Sequence, residues 1–149
     1  ATAGIIQDLG IKDANNMGAA MAPAAYDTIS RFLTDTAQKP SDFDLIVTGD
    51  LGLTGKNILS ELFKKDGTDV AKVYDDCGVM IFSKEQDAHS GGSGCGCSAA
   101  VLCGYILNAM SQGLLKKVLF AGTGALMSPT SVQQGQSIPG ICHLVSITV

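Results

Sequence analysis

Residues 91–107 read GGSGCGCSAAVLCGYIL: a glycine-rich turn with two cysteines leads into an apolar helix, and no Asp, Glu, Lys or Arg occurs from Ala88 through Leu115. A helix packed on a sheet ordinarily keeps a charged outer face. One without any charge must be covered on that side too, so a further layer supplied by another half or a second subunit is expected. Ser98, Gly104, Asn108, Ser111, Gln112 and Gly113 interrupt the run well short of the ~20 apolar residues that a membrane span needs, which makes it a buried helix.

Working outward, the flanks alternate strand and helix. Gly4 to Leu9 reads as a short strand, followed by a helix that starts near Pro23, proline being favoured at the first helical position. Its buried stripe is Ile29, Phe32 and Leu33. PSDF (40–43) marks a break, and DLIVTGD (44–50) is a strand of β-branched residues ending in a turn. Thr54 or Gly55 opens a second helix with Ile58, Leu59, Leu62 and Phe63 inward, Lys64 and Lys65 at its negative end and Gly67 as its stop. VAKVYDD (70–76) and GVMIF (78–82) read equally as a strand or an irregular connection. The charge-free helix occupies about 94–113. KKVLFAG (116–122) is then a strand, GALMSPTSVQQGQSIPG (124–140) a long turn without room for a helix, and ICHLVSITV (141–149) the last strand. Strands joined through helices should be parallel and the last pair antiparallel. The result is an α/β fold in the order βαβαβαββ, with a mixed five-stranded sheet whose last strand is antiparallel.

Composition sets the limits around this reading. The 149 residues are 46% apolar and 16% charged, with no tryptophan and 18 glycines, enough for one compact domain spanning 1–149. A net charge of −4, with Lys and Arg dispersed, excludes a nucleic-acid-binding role because no basic stripe or stacking platform is present. ATAGIIQDLGIKD (1–13) lacks the basic and long apolar regions of a signal peptide, and the missing initiator Met reads as a trimmed segment. Five cysteines are an odd number without a disulfide framework, so a reducing compartment is expected.

Cys95, Cys97 and Cys103 with His89 invite a zinc reading. Cys-x-Cys-x₅-Cys within one helix spreads its thiols around the circumference, so they read as small buried hydrophobes and no metal is expected. Cys77 follows two carboxylates, Asp75 and Asp76, which raise a thiol's pKa and disfavour a nucleophile. The two acids suit a cation but read as a solvated pair. His143 lies in an alternating strand as a packed or edge residue.

The motifs carry a resemblance. MAPAAYDTISRFL (21–33) followed by DFDLI (42–46) resembles the second half of the thiolase fold, and HSGGSGCGCSAAV (89–101) is similar to the motif that opens the thiolase central helix. NMGAAMAPAA, TGDLG, DCG, GGSGCGCSA, TGALMSPTS and QQGQSIPGICHLVSI, in that order, resemble the thiolase-like stage V sporulation AD family over nearly the whole chain. The resemblance implies a three-layer, C-terminal thiolase-like half whose N-terminal half is not present, with the two central helices pressed together. That accounts for the charge-free helix.

The same resemblance implies a role. Catalytic relatives keep their nucleophilic cysteine in the other half and place an Asn or His where this chain has TGDLG, Thr48 to Gly52. An ionised Asp50 offers no donor to an oxyanion, and losing one costs a factor of ~10² to 10³ in rate. No catalytic residue and no cofactor are therefore expected, and the family role is non-enzymatic: binding dipicolinic acid, with or without calcium, and supporting its uptake into the developing spore. Sister stage V membrane proteins and the N-terminal half are the implied partners, at the cytoplasmic face of the spore inner membrane. An acyltransferase or condensing enzyme acting on a thioester is the alternative.

Dipicolinate is a flat dianion suited to backbone N–H groups at a glycine-rich helix start and to hydroxyls. The candidate ligand-binding residues are His89, Gly91, Gly92, Ser93, Asp50, Thr123 and Ser128. Each has a plainer reading: a hydrogen-bonded structural histidine, glycines required by close packing, and a polar surface loop. The segment on its own is expected to self-associate through the 94–113 helix, because a bare apolar face is a liability.

Overall fold

The computed structural model describes residues 2–149. Five strands, β1 (Thr2–Gln7), β2 (Leu45–Thr48), β3 (Tyr74–Asp76), β4 (Lys117–Ala125) and β5 (Gly140–Thr148), form one sheet in the order β1-β5-β4-β2-β3. β2 pairs in parallel with β3 and β4, and β5 runs antiparallel to both β4 and β1. The order βαβαβαββ and the mixed sheet with its antiparallel last strand are as the sequence implied.

Alternation along the strands sends neighbouring residues to opposite faces. Ile46, Leu119, Ala121 and Leu144 meet α1 (Met17–Asp35) and α2 (Gly52–Lys65) through Ala25, Ile29, Phe32, Leu59 and Phe63. Val47 and Val118 point the other way, into Cys77, Cys97, Val101, Ile106 and Met110. The second face is covered by α3 (Cys77–Met80) and by a central helix of three segments, α4 (Cys97–Val101), a π turn (Leu102–Ile106) and α5 (Leu107–Ser111). Helices, sheet and central helix make three layers. Outside the third, Ala99, Ala100, Cys103, Gly104, Tyr105 and Leu107 are exposed.

Several boundaries depart from the sequence reading, each for a local reason. α1 begins at Met17 because the Asn16 side chain accepts from the Ala19 N–H at 3.2 Å, so Pro23 lies inside the helix and leaves it one hydrogen bond short. β1 ends at Gln7 rather than Leu9, where Asp8 accepts from Gly10 N and Ser137 Oγ and turns the chain. The open choice at 70–82 resolves into a three-residue strand and a helical turn. The central helix starts at Cys97, since Gly94 has φ +107°, outside helical space. The β4–β5 connection does hold a helix, the single-turn α6 (Pro129–Gln133), capped by Ser128. No helix among the described residues is long and apolar enough to cross a membrane.

Candidate functional site

The TGDLG turn leaves β2 at the same end of the sheet where β4 delivers Thr123. The Asp50 N–H donates to Thr123 Oγ1 at 3.0 Å, and the Thr123 hydroxyl donates back to Asp50 Oδ1 at 3.1 Å. The other carboxylate oxygen accepts from Ser93 Oγ at 3.3 Å and from Gly94 N at 3.1 Å. One carboxylate thus ties β2, β4 and the start of the central helix together. It lines an open depression of about 380 Å³ whose other walls are Asn15 to Gly18 at the start of α1, Leu51, Gly52 and Thr54 at the start of α2, and Ser90 to Ser93. The starts of α1 and α2 thus both border one polar pocket.

Beneath the turn lies a second, fully buried carboxylate. Asp76 Oδ2 accepts from Thr48 Oγ1 at 2.6 Å and Leu51 N at 3.0 Å, and Oδ1 accepts from Gly52 N at 3.0 Å. Thr48 gives its hydrogen to Asp76, so the Tyr74 hydroxyl, 2.9 Å away, donates to Thr48. Burial pushes Asp76 above the usual carboxylate range, against the lowering effect of those donors. By taking the Leu51 and Gly52 amides, Asp76 starts α2 at Gly52 rather than at Thr54 or Gly55. The solvated pair read from the sequence is thus corrected. Asp75 is ion-paired to Lys56 Nζ at 2.7 Å, and Asp76 is a core residue.

The glycine-rich segment is held by backbone contact. Gly92 N donates to Gly78 O and Leu53 N to Ser90 O, both at 2.7 Å, while Gly91 N donates to Ala88 O at 2.8 Å. Gly52, at φ +65°, has Ser90 O only 2.7 Å from where a Cβ would sit, and Gly91, at φ +105°, lies against Gly78 O. Only glycine suits either position. The amides of Gly91, Gly92 and Gly94 therefore already donate within the protein, which removes them as the expected anion cradle.

The structure brings Asp50, Gly91, Gly92, Ser93 and Thr123 together. It places two candidates elsewhere. His89 has φ +48° and an 88% exposed side chain, 3.6 Å from Asp87 Oδ1, in a neighbouring depression with Leu53, Phe82 and Lys84. Ser128 accepts from Ser131 N at 3.1 Å to cap α6, beside Asp8, Met127 and Ser137. The thiols are divided: Cys95 and Cys103 are exposed, whereas Cys77, Cys97 and Cys142 are buried. Burial first, then the charge of Asp76, pushes the Cys77 thiol up to about 12, so the carboxylates named from the sequence are the smaller cause. Burial pushes Cys142 to about 12 as well. His143 is exposed on β5 opposite Gly4, where its ring fills the space a Cβ would take.

The model of the stage V sporulation protein AD family matches residues 1–148. The chain belongs to that family. Stage V sporulation protein AD of Bacillus subtilis (strain 168) is 46% identical over 143 residues, covering 96% of this chain and 42% of that protein. This family member thus spans about two fifths of the length of that relative. Among solved structures, 3-oxoacyl-[acyl-carrier-protein] synthase III from Aquifex aeolicus VF5 is similar with a TM-score of 0.38 and 14% identity, covering 84% of this chain and 38% of that one.

Within this family member, Asp76, Thr48 and Tyr74 are the site residues that sequence reasoning missed. A signal existed: strand periodicity puts Tyr74 and Asp76 on one face, but it becomes readable only once 74–76 is taken as a strand.

Proposed function

We infer that this chain is the C-terminal half of a thiolase-like, non-catalytic sporulation protein that binds dipicolinic acid and supports its uptake into the developing spore. The observation that carries this reading is the state of Asp50. At the position where catalytic relatives present an Asn or His donor, this chain holds a carboxylate that consumes the Thr123 and Ser93 hydroxyls and the Gly94 amide. The Asp50 carboxylate offers no donor to a thioester oxyanion, and the groups it holds already donate to it.

The pocket suits a small carboxylated ligand in another way. Asn15, Asn16, Thr54 and Ser90 bring amide and hydroxyl groups to its wall, and the N-terminus of α1 supplies partial positive charge. Calcium bound to dipicolinate would offset the repulsion between the dianion and Asp50. The same reading puts the N-terminal half against the central helix and the whole protein at the cytoplasmic face of the spore inner membrane, beside its sister membrane proteins.

The test is calorimetric titration of the complete protein with dipicolinate, with and without calcium, against a CoA-thioester control. Saturable heat with dipicolinate and none with the thioester is expected. Thioester binding or turnover without dipicolinate binding would move the assignment to an acyltransferase or condensing enzyme.

A further inference from the structure

Asp76 is the only fully buried acid among the described residues. None of their ion pairs reaches it; the adjacent Lys56 goes to Asp75 instead. The groups facing it are Tyr74 and Asp75 on β3, Cys77 on α3, Cys97 on α4, Asp50 on the turn, and the neutral Thr48. The ionisable ones among these are carboxyl, thiol and phenol groups, and none is a cation. Its stabilisation comes instead from one hydroxyl, the first two amides of the turn into α2 and the Gly78 amide on α3. A carboxylate without a counter-ion is costly to bury, and two of the amides this one holds belong to the residues that immediately follow Asp50.

We propose that Asp76 is the positioning residue of the Asp50 pocket: by holding the Leu51 and Gly52 amides from below, it fixes the direction in which Asp50 leaves β2, and hence the reach of Asp50 to Ser93, Gly94 and Thr123. Protonation reverses the pattern. A protonated Asp76 turns Thr48 from donor to acceptor and loses the charge that draws in the two amides, so the turn relaxes and Asp50 shifts against the central helix. This deepens the reading of the Asp50 pocket, but its test needs no ligand, so failure to bind dipicolinate would leave it standing.

The test follows the backbone amide resonances of Leu51, Gly52 and Gly94 across pH in the complete protein labelled at leucine and glycine. Leu51 and Gly52 should move together with one midpoint above the ordinary carboxylate value, and Gly94 should show a step at that same midpoint. In Asp76→Asn the shared step should vanish and exchange of the Gly94 amide should rise about tenfold. Should Asp76→Asn fail to fold, Thr48→Val removes one donor from the carboxylate and should move the shared midpoint up. Separate midpoints for Leu51 and Gly52, a Gly94 amide blind to their step, or an unmoved midpoint in Thr48→Val would each overturn the assignment.

Discussion

Asp50 and Thr123 lie 73 residues apart in sequence, yet each donates a hydrogen bond to the other across the ends of β2 and β4. This reciprocal pair joins two parallel strands just beyond their ladder, which ends at Thr48 and Ala121. Thr123→Val keeps the volume and removes both bonds. It should lower the unfolding free energy by about 1–2 kcal/mol, read as an earlier urea midpoint at unchanged slope.

Asp76 makes a signed prediction about pH. Its folded-state pKa lies above the ordinary 3.8, so between those two values the folded chain keeps a proton that the unfolded chain has released. The stability it contributes is present below the ordinary value and is lost as pH rises through the folded one. Urea unfolding of the wild type and Asp76→Asn at a series of pH values should therefore show their difference moving against the wild type as pH rises through that window. A difference that stays flat, or moves in its favour, contradicts the burial-driven shift.

Gly52 combines φ +65° with Ser90 O pressed against the position of a Cβ. Gly52→Ala should destabilise the chain by roughly 1–3 kcal/mol and loosen the 88–94 segment, seen as faster cleavage there by a non-specific protease. Gly96→Ala, at an open position with ordinary backbone angles, serves as the control and should change little.

Thiol chemistry separates the five cysteines. Cys95 and Cys103 should react with a maleimide in the native state, and Cys77, Cys97 and Cys142 only after denaturation, because burial both hides these and raises their pKa. Mass spectrometry of the native adduct should count two labels.

The face bearing Tyr105 and Leu107, 59% and 40% exposed, should cause the 149-residue segment on its own to self-associate. Sedimentation should show a dimer or larger species that Tyr105→Lys returns to monomer. A monomeric wild type at high concentration would contradict this.

How much of this was legible in the sequence follows from the range of the forces involved. The strand order of types, the cores of α1 and α2 and the charge-free helix were readable because each depends on local periodicity. Pro23 misleads because a cap seven residues upstream, Asn16, outweighs it, and the start of α2 cannot be placed without knowing that Asp76 takes its first amides from 24 and 25 residues away. At the site, Asp50, Ser93 and Thr123 were named from motifs, whereas their mutual bonding depends on tertiary contacts that no spacing encodes. His89 was named by motif position, and its left-handed backbone turns it out to solvent.

The most direct measurement compares dipicolinate binding by the complete protein with and without Asp50→Asn, using calorimetry with a CoA-thioester turnover assay alongside. An amide cannot accept at both ends, so the variant gives up either Thr123 or the Ser93–Gly94 link, and with calcium present to offset the repulsion between the dianion and Asp50 the account predicts dipicolinate affinity at least about tenfold weaker, with no thioester turnover in either protein. Unchanged dipicolinate affinity, or thioester turnover by the wild type, would contradict it.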